Sequence, residues 1–355
     1  MLGVPFKAAL LRSKILLGVT FALAAAPAAD QAPSAKPGIA NPTASPRHSL
    51  LRKYARPTAI PFPLNNAYTK DREFLGKSLF FDPRLSRSRS TSCASCHNPG
   101  FSWGDGLPKG IGDGMKELDR RSPTILNAAW DELLFWDGRA ETLEEQALCP
   151  VSAKDEMNLS IRELLKRISN IPGYAPLFQR AYPSVPIEIA IARAIATFER
   201  TVISSQAPFD KWVAGDETAI SPAAKNGFDL FNGKARCAQC HSGWNFTDNG
   251  FHDVGLRGQD RGRGANLALE SMQFAFKTPT LRNADLRSPY THDGSELTLQ
   301  SVIAFYDRGG DVKRPSLDPA IVPLHLTPRE MNDLEAFLKM LTSIDKPVDI
   351  PVLPR

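Results

Sequence analysis

Apolar side chains recur at helical spacing in four places along this chain, and the four form two matched pairs. From Asp71 onward the string Phe74-Leu75-Gly76-Lys77-Ser78-Leu79-Phe80-Phe81 has the spacing of an amphipathic helix, and Ala223-Ala224-Lys225-Asn226-Gly227-Phe228-Asp229-Leu230-Phe231 repeats it later. Each is answered by a second helix further on. Residues 187–202 set Ile187, Ile191, Ala194, Ile195, Phe198 and Val202 on one side. Thr327, Pro328 and Glu330 make a capping-box start for a helix whose stripe is Met331, Leu334, Phe337, Leu338 and Leu341. Long Gly- and Pro-rich loops separate the helices. The pattern predicts a mainly α fold with long loops and little sheet, built as two similar domains, 61–210 and 211–355, with 206–221 as the linker.

Ahead of the first domain the pattern changes twice. Residues 1–29 carry a basic start (Lys7, Arg12, Lys14), an apolar stretch Ile15-Leu16-Leu17-Gly18-Val19-Thr20-Phe21-Ala22-Leu23, and an Ala26-Pro27-Ala28 ending that suits cleavage. This reads as a signal peptide; the alternative, an uncleaved membrane anchor, calls for a longer apolar core. Residues 30–60 are rich in Pro, Ala and Ser and read as a flexible lead-in or a strap lying on the surface. No other stretch is apolar for long enough to cross a bilayer. The expectation is an exported protein, periplasmic in a bacterium, with no membrane association after signal cleavage.

Charge adds an exclusion. The 43 Lys and Arg against 38 Asp and Glu give +5, but three of the basic residues lie in the signal peptide and no acidic one does, which leaves +2. Nothing in that balance points to nucleic acid or anionic lipid. A chain that is 42% hydrophobic and 23% charged is an ordinary globular one.

The chemistry lies in two copies of one five-residue pattern, Cys93-Ala94-Ser95-Cys96-His97 and Cys237-Ala238-Gln239-Cys240-His241. A single C-x-x-C would fit a redox dithiol or half a zinc site equally well. Two copies, each followed at once by histidine, read as c-type haem attachment: thiols three residues apart add to the vinyl groups of one porphyrin, and the histidine falls beneath the iron. Two covalent c-type haems are therefore expected, on Cys93 and Cys96 and on Cys237 and Cys240, with His97 and His241 as proximal ligands. The helix, motif, loop and helix order repeats around them, so each domain is a cytochrome c-like unit.

Five further strings carry a resemblance: Arg121-Ser122-Pro123-Thr124-Ile125-Leu126-Asn127, Phe135-Trp136-Asp137-Gly138-Arg139-Ala140 and Leu143-Glu144-Glu145-Gln146-Ala147 between the haem motifs, then Lys277-Thr278-Pro279-Thr280-Leu281-Arg282-Asn283 and Pro289-Tyr290-Thr291-His292-Asp293-Gly294 after the second. Over roughly residues 65–345 the chain resembles the bacterial di-haem cytochrome c peroxidase and MauG superfamily. The resemblance implies that His97 holds a peroxide-reactive haem and His241 an electron-transfer haem, with Trp136 between them in charge transfer rather than as plain core. It implies an acid/base pair of Gln146 and Glu156 above the first iron, walled by Pro150; the competing reading of Glu156 is a solvated carboxylate. Relatives that park a histidine on the resting reactive iron draw it from a loop where this chain has none; Met115 is the loop residue that could ligate instead, or stand exposed. The first iron is accordingly expected to be open.

Counting eight residues from Thr298 reaches Tyr306, where other members have methionine. Tyrosine resembles the MauG-like branch, and an anionic oxygen donor favours higher oxidation states than a thioether does; a buried, hydrogen-bonded tyrosine is the alternative. Two departures stand out. Ala235 occupies the place of a tryptophan that relays holes in MauG. Arg121 occupies the place of an asparagine ligand in the family's inter-domain calcium site, whose carbonyls fall near Arg287 and Pro289, so Ca2+ is left open. Cys149, beside Pro150, is a spare thiol: buried and inert, or in the pocket and oxidisable. His292 is assigned no catalytic role.

The function expected from the resemblance is H2O2-dependent oxidation of a Trp or Tyr residue of a periplasmic partner protein through a high-valent di-haem state. The alternatives are a cytochrome c peroxidase fed by a small cytochrome or cupredoxin donor, and a non-catalytic di-haem electron carrier.

Overall fold

A computed structural model describes residues 46–355; the expected signal peptide and the lead-in up to residue 45 lie outside the described residues. The first half contains α1 (Pro46–Arg52), α2 (Lys70–Phe80), α3 (Cys93–Cys96), α4 (Leu143–Gln146), α5 (Cys149–Ser152), α6 (Ile161–Ser169), α7 (Ala175–Ala181) and α8 (Ile187–Thr201). The second contains α9 (Pro208–Val213), α10 (Pro222–Asn232), α11 (Leu299–Asp307) and α12 (Pro328–Lys339). The antiparallel pair β1 (Phe251–His252) and β2 (Phe276–Lys277) is the sheet of the described residues. The four expected helices are α2, α8, α10 and α12. Hydroxyl caps start three of them: Thr69 accepts from the Arg72 amide, Ser221 from that of Ala224, and Thr327 from that of Glu330.

In each half the first of these helices crosses the last at a glycine. A Cβ on Gly76 would lie 1.9 Å from the Ala194 carbonyl oxygen, and one on Gly227 would lie 1.9 Å from that of Asp333. Only a residue without Cβ lets the backbones of α2 and α8, or of α10 and α12, approach so closely. Around each crossing the aromatics interlock, Phe80 with Phe198 at 5.1 Å and Phe231 with Phe337 at 5.1 Å between ring centroids.

The two cores divide the chain differently from the expected boundaries. Phe209 and Trp212, within the expected linker, are wholly buried against Phe228, so α9 is part of the second core. The described part of the lead-in is not a free segment either. Leu51 and Tyr54 are buried in the second core, and the Tyr54 hydroxyl donates to Asn232 Oδ1 at 2.7 Å. Their buried apolar area and the hydrogen bonds of Tyr54 and Arg56 hold this strap. At the other end the chain crosses back: Arg84 donates to the Pro354 carbonyl at 2.9 Å and the Gly173 amide to that of Arg355 at 2.8 Å. Each terminus of the described chain is thus fastened to the half remote from it in sequence.

Candidate active site

Both Cys-x-x-Cys-His motifs open into one cavity of about 1360 Å3. That exceeds the roughly 300–1,000 Å3 of a single-ligand pocket. Cys93, Cys96, Cys237 and Cys240 are unpaired thiols at its wall, spaced on single helical turns. His97 and His241 line it too, and burial lowers the pKa of both, which favours the neutral imidazole that ligates iron. His241 Nδ1 donates to the Phe246 carbonyl at 2.9 Å, leaving Nε2 as the free donor atom. Thiols, neutral imidazoles and space together fit two haems.

From Arg121 to Val151 each residue pairs, without a gap, with the one 156 positions later. The structure repeats accordingly. Thr124 donates to the Ser102 carbonyl and Thr280 to that of Asn245, each pinning the loop that follows a haem motif. Asn127 and Asn283 both adopt positive φ (64° and 56°) and are wholly buried. Their amides reach across to the opposite half, Asn127 to Asn245 Oδ1 at 3.0 Å and Asn283 to Ser102 Oγ at 3.1 Å. This repeat was readable in the sequence and connects site residues that motif reading treated separately.

On the His97 side Gln146, Pro150 and Glu156 all line the cavity, together with Arg139, Met157 and Glu199. Glu156 is half-buried; burial raises its pKa above the usual carboxylate range against the opposing pull of Arg139. Its backbone is held by the loop through Gly112, where a Cβ would lie 1.9 Å from the Asp155 carbonyl oxygen. Glu199 was not singled out from sequence. It is 4% exposed, its Oε2 has no hydrogen-bond partner, and burial pushes its pKa up to about 8. The signal was present: Glu199 continues the Ile191, Ile195 face of α8 at i+4 spacing, a charge on an apolar stripe. Met115 is 83% exposed and absent from the cavity wall, so its exposed reading holds. Cys149 corrects both of its readings: it is exposed, neither core nor pocket, with its thiol directed back at the Glu145 carbonyl along the helix.

On the His241 side Tyr306 projects from α11 to the cavity beside Cys237 and Cys240. Burial raises the pKa of its phenol, with no hydrogen bond from another described residue contributing. Ala235 is buried at the wall. His252 sits near Cys240, clamped between Asp248 at 2.9 Å and Asp318 at 2.6 Å; the Asp248 hydrogen bond above all raises its pKa to about 11.

Trp136 stands where the halves meet. Its indole N–H donates to the Arg121 carbonyl at 2.8 Å, and its own carbonyl accepts from the Lys277 amide at 2.8 Å. In the repeat its counterpart is His292, and the two rings face each other edge-on with centroids 6.4 Å apart. His292 stacks on Phe276 at 3.6 Å, and burial pushes its pKa down to about 4. The residues here do not fit the calcium ion that the resemblance implies. The Arg121 guanidinium occupies the place, donating to the Arg287 carbonyl at 2.5 Å, and Arg287 is a second buried cation beside it.

The fold and the paired motifs define a di-haem oxidoreductase with two cytochrome c-like domains. Residues 70–218 match the family described as di-haem cytochrome c peroxidase, and residues 224–342 match cytochrome c. The chain is 49% identical over 311 residues to the methylamine utilization protein MauG of Methylorubrum extorquens, covering 86% of this chain and 88% of that protein. It is 44% identical over 321 residues to the protein of the same description from Methylophilus methylotrophus, covering 89% and 96%. The crystal structure of a MauG-like protein associated with microbial copper homeostasis superposes with a TM-score of 0.74 at 31% identity, covering 81% of this chain and 95% of that one. The chain belongs to the di-haem cytochrome c peroxidase and MauG family, and it is an H2O2-dependent di-haem oxidoreductase.

Proposed function

We propose that this chain is an exported, MauG-like oxidase that carries two covalent c-type haems and uses H2O2 to oxidise a Trp or Tyr residue of a partner protein. The observation that carries the reading is Tyr306, whose phenol oxygen faces the His241 side of the cavity, while its repeat counterpart on the His97 side is Pro150. One site then offers an oxygen ligand and the other none. The export signal supports a periplasmic location, where haem attachment of this kind takes place.

When bound at His97, the haem supplies an iron at which the O–O bond of H2O2 can be cleaved. Glu156 takes the proton from the near oxygen and returns it to the far one, so that water leaves. Gln146 orients the peroxide with its amide, and Pro150 keeps that face clear. Arg139, which lines the same cavity and is paired with Asp137, favours the ionised form of Glu156 that accepts the proton. Trp136 couples the two sites through the junction. Two electrons from the partner complete the balance, H2O2 with two electrons and two protons giving two waters. Tyr306 as a ligand disfavours the ferrous state that a small cytochrome donor would feed.

The test is to mix diferric holoprotein with H2O2 and follow the oxidised species optically, with and without ferrous cytochrome c. A species that persists and is quenched slowly by cytochrome c, and that is lost in Tyr306→Met, is the expected result. Rapid steady turnover with cytochrome c in the wild type contradicts the oxidase reading in favour of a peroxidase.

A further inference from the structure

Among the side-chain cations that cross between the halves, Arg121 and Lys277 form a repeat-related pair, and the proposed chemistry uses neither. Positions 121 and 277 are partners in the repeat. The Arg121 guanidinium donates to the Arg287 carbonyl at 2.5 Å. Lys277 Nζ donates to Asp131 Oδ2 at 2.6 Å and to the Leu133 carbonyl at 2.9 Å. Asp131 is itself the repeat partner of Arg287, and Leu133 that of Pro289. Each half therefore sends one cation into the same turn of the other half.

The two braces differ in their surroundings. Lys277 pairs with a carboxylate, whereas Arg121, 5% exposed, pairs with a carbonyl oxygen and has an Nε with no partner at all. Arg287 beside it spends its own donors on the Thr280, Arg282 and Asn283 carbonyls. Asp105, the acidic group whose field reaches Arg121, accepts a hydrogen bond from Ser122 at 2.6 Å instead. A buried cation kept without a carboxylate is costly, and it is retained here at the joint between two cores.

This is also the place for which the family resemblance implies calcium. Ca2+ takes about 6–8 oxygen ligands. Here the Arg287 carbonyl is already engaged by a guanidinium, the ligand amide oxygen is replaced by that guanidinium, and a second buried arginine adjoins it. We propose that Arg121 and Lys277 are resident cations that brace the two halves, with Arg121 in the place of the metal, so that the di-haem junction of this chain forms without calcium.

The test uses the di-haem holoprotein, purified in calcium-containing buffer, desalted and analysed for bound calcium by elemental mass spectrometry. Its thermal midpoint and Soret spectrum are recorded with EGTA and with added CaCl2. The wild type is expected to hold no stoichiometric calcium and to be indifferent to both additions. In Arg121→Asn, calcium should bind and raise a lowered midpoint by several degrees, reversibly with EGTA. Arg121→Lys, which keeps a cation, should stay indifferent. One calcium per wild-type chain, or a wild-type midpoint that falls in EGTA, overturns the proposal, and so does an Arg121→Asn protein that folds with both haems and ignores calcium. Should Arg121→Asn not fold, the wild-type metal content and the lysine variant still decide.

Discussion

Residue 150 in the first half and residue 306 in the second stand eight positions after equivalent helix caps, Thr142 and Thr298, yet one is proline and the other tyrosine. Both helices begin alike, Thr142 accepting from the Glu145 amide and Thr298 from that of Ser301. From there α11 runs nine residues and carries Tyr306 to the cavity. In the first half α4 stops after four residues and the chain restarts as α5, because Pro150 has no N–H to give to the Gln146 carbonyl. One difference in sequence thus removes the phenol oxygen and breaks the helix. Beyond the break the turn of residues 153–158 brings Glu156 back to the cavity wall, where the second half has no carboxylate counterpart from α11. The proximal sides differ as well: His241 Nδ1 is fixed by the Phe246 carbonyl, whereas His97 Nδ1 has no partner. In the proposed function this asymmetry makes a duplicated unit an enzyme, one copy closed by Tyr306 and the other open beneath Glu156.

Two substitutions in the first half probe that contrast most strongly. Glu156→Gln should slow the reaction with H2O2 by about 10²–10⁴-fold in stopped-flow measurements while the His241 haem keeps its spectrum. In the wild type the same rate should rise with pH through the Glu156 pKa, above the usual carboxylate range because burial raises it, since only the ionised form accepts the proton. A variant rate within a few-fold of wild type removes Glu156 from the account. Pro150→Met places a thioether at the position equivalent to Tyr306 and should cost roughly tenfold or more of peroxide reactivity by supplying a sixth ligand. An unchanged high-spin spectrum would show that the two positions are not equivalent towards iron.

Smaller effects probe what the halves share. Gly76→Ala and Gly227→Ala should each destabilise by about 1–3 kcal/mol, since either Cβ collides with a backbone carbonyl. Denaturant unfolding that finds one glycine indifferent would mean the two helix crossings are not alike. Glu199→Gln tests a feature of the first half alone. Burial pushes Glu199 up to about 8 from the 4.5 of an ordinary glutamate, so the folded protein keeps a proton that the unfolded chain has released. Stability should fall as pH rises between those values, and the glutamine variant should lack that loss. Equal urea midpoints for the two proteins at pH 8, relative to pH 5, would contradict it.

Much of this plan was legible in the chain. The four helices, the haem motifs and the cavity positions of Gln146, Pro150, Glu156, Trp136 and Tyr306 follow from spacing and resemblance. Other features depend on packing that spacing does not express. Gly76 and Gly227 look like mid-helix defects until the crossing helices are in place. α9 reads as linker because six residues carry too little periodicity, although Phe209 and Trp212 are core. Cys149 was placed near the pocket by its neighbour Pro150, but on a helical turn adjacent residues face different ways, and the thiol is outside. The pairing of Trp136 with His292, and of Pro150 with Tyr306, needed only the 156-residue offset.

If the two irons differ in coordination because positions 150 and 306 differ, low-temperature EPR of the diferric holoprotein, with Tyr306→Phe alongside, will show it. The account predicts one high-spin signal from the His97 haem and one low-spin signal from the His241 haem, with the low-spin signal alone lost in the variant. Two low-spin signals in the wild type, or a wild-type pattern that survives Tyr306→Phe, would contradict it.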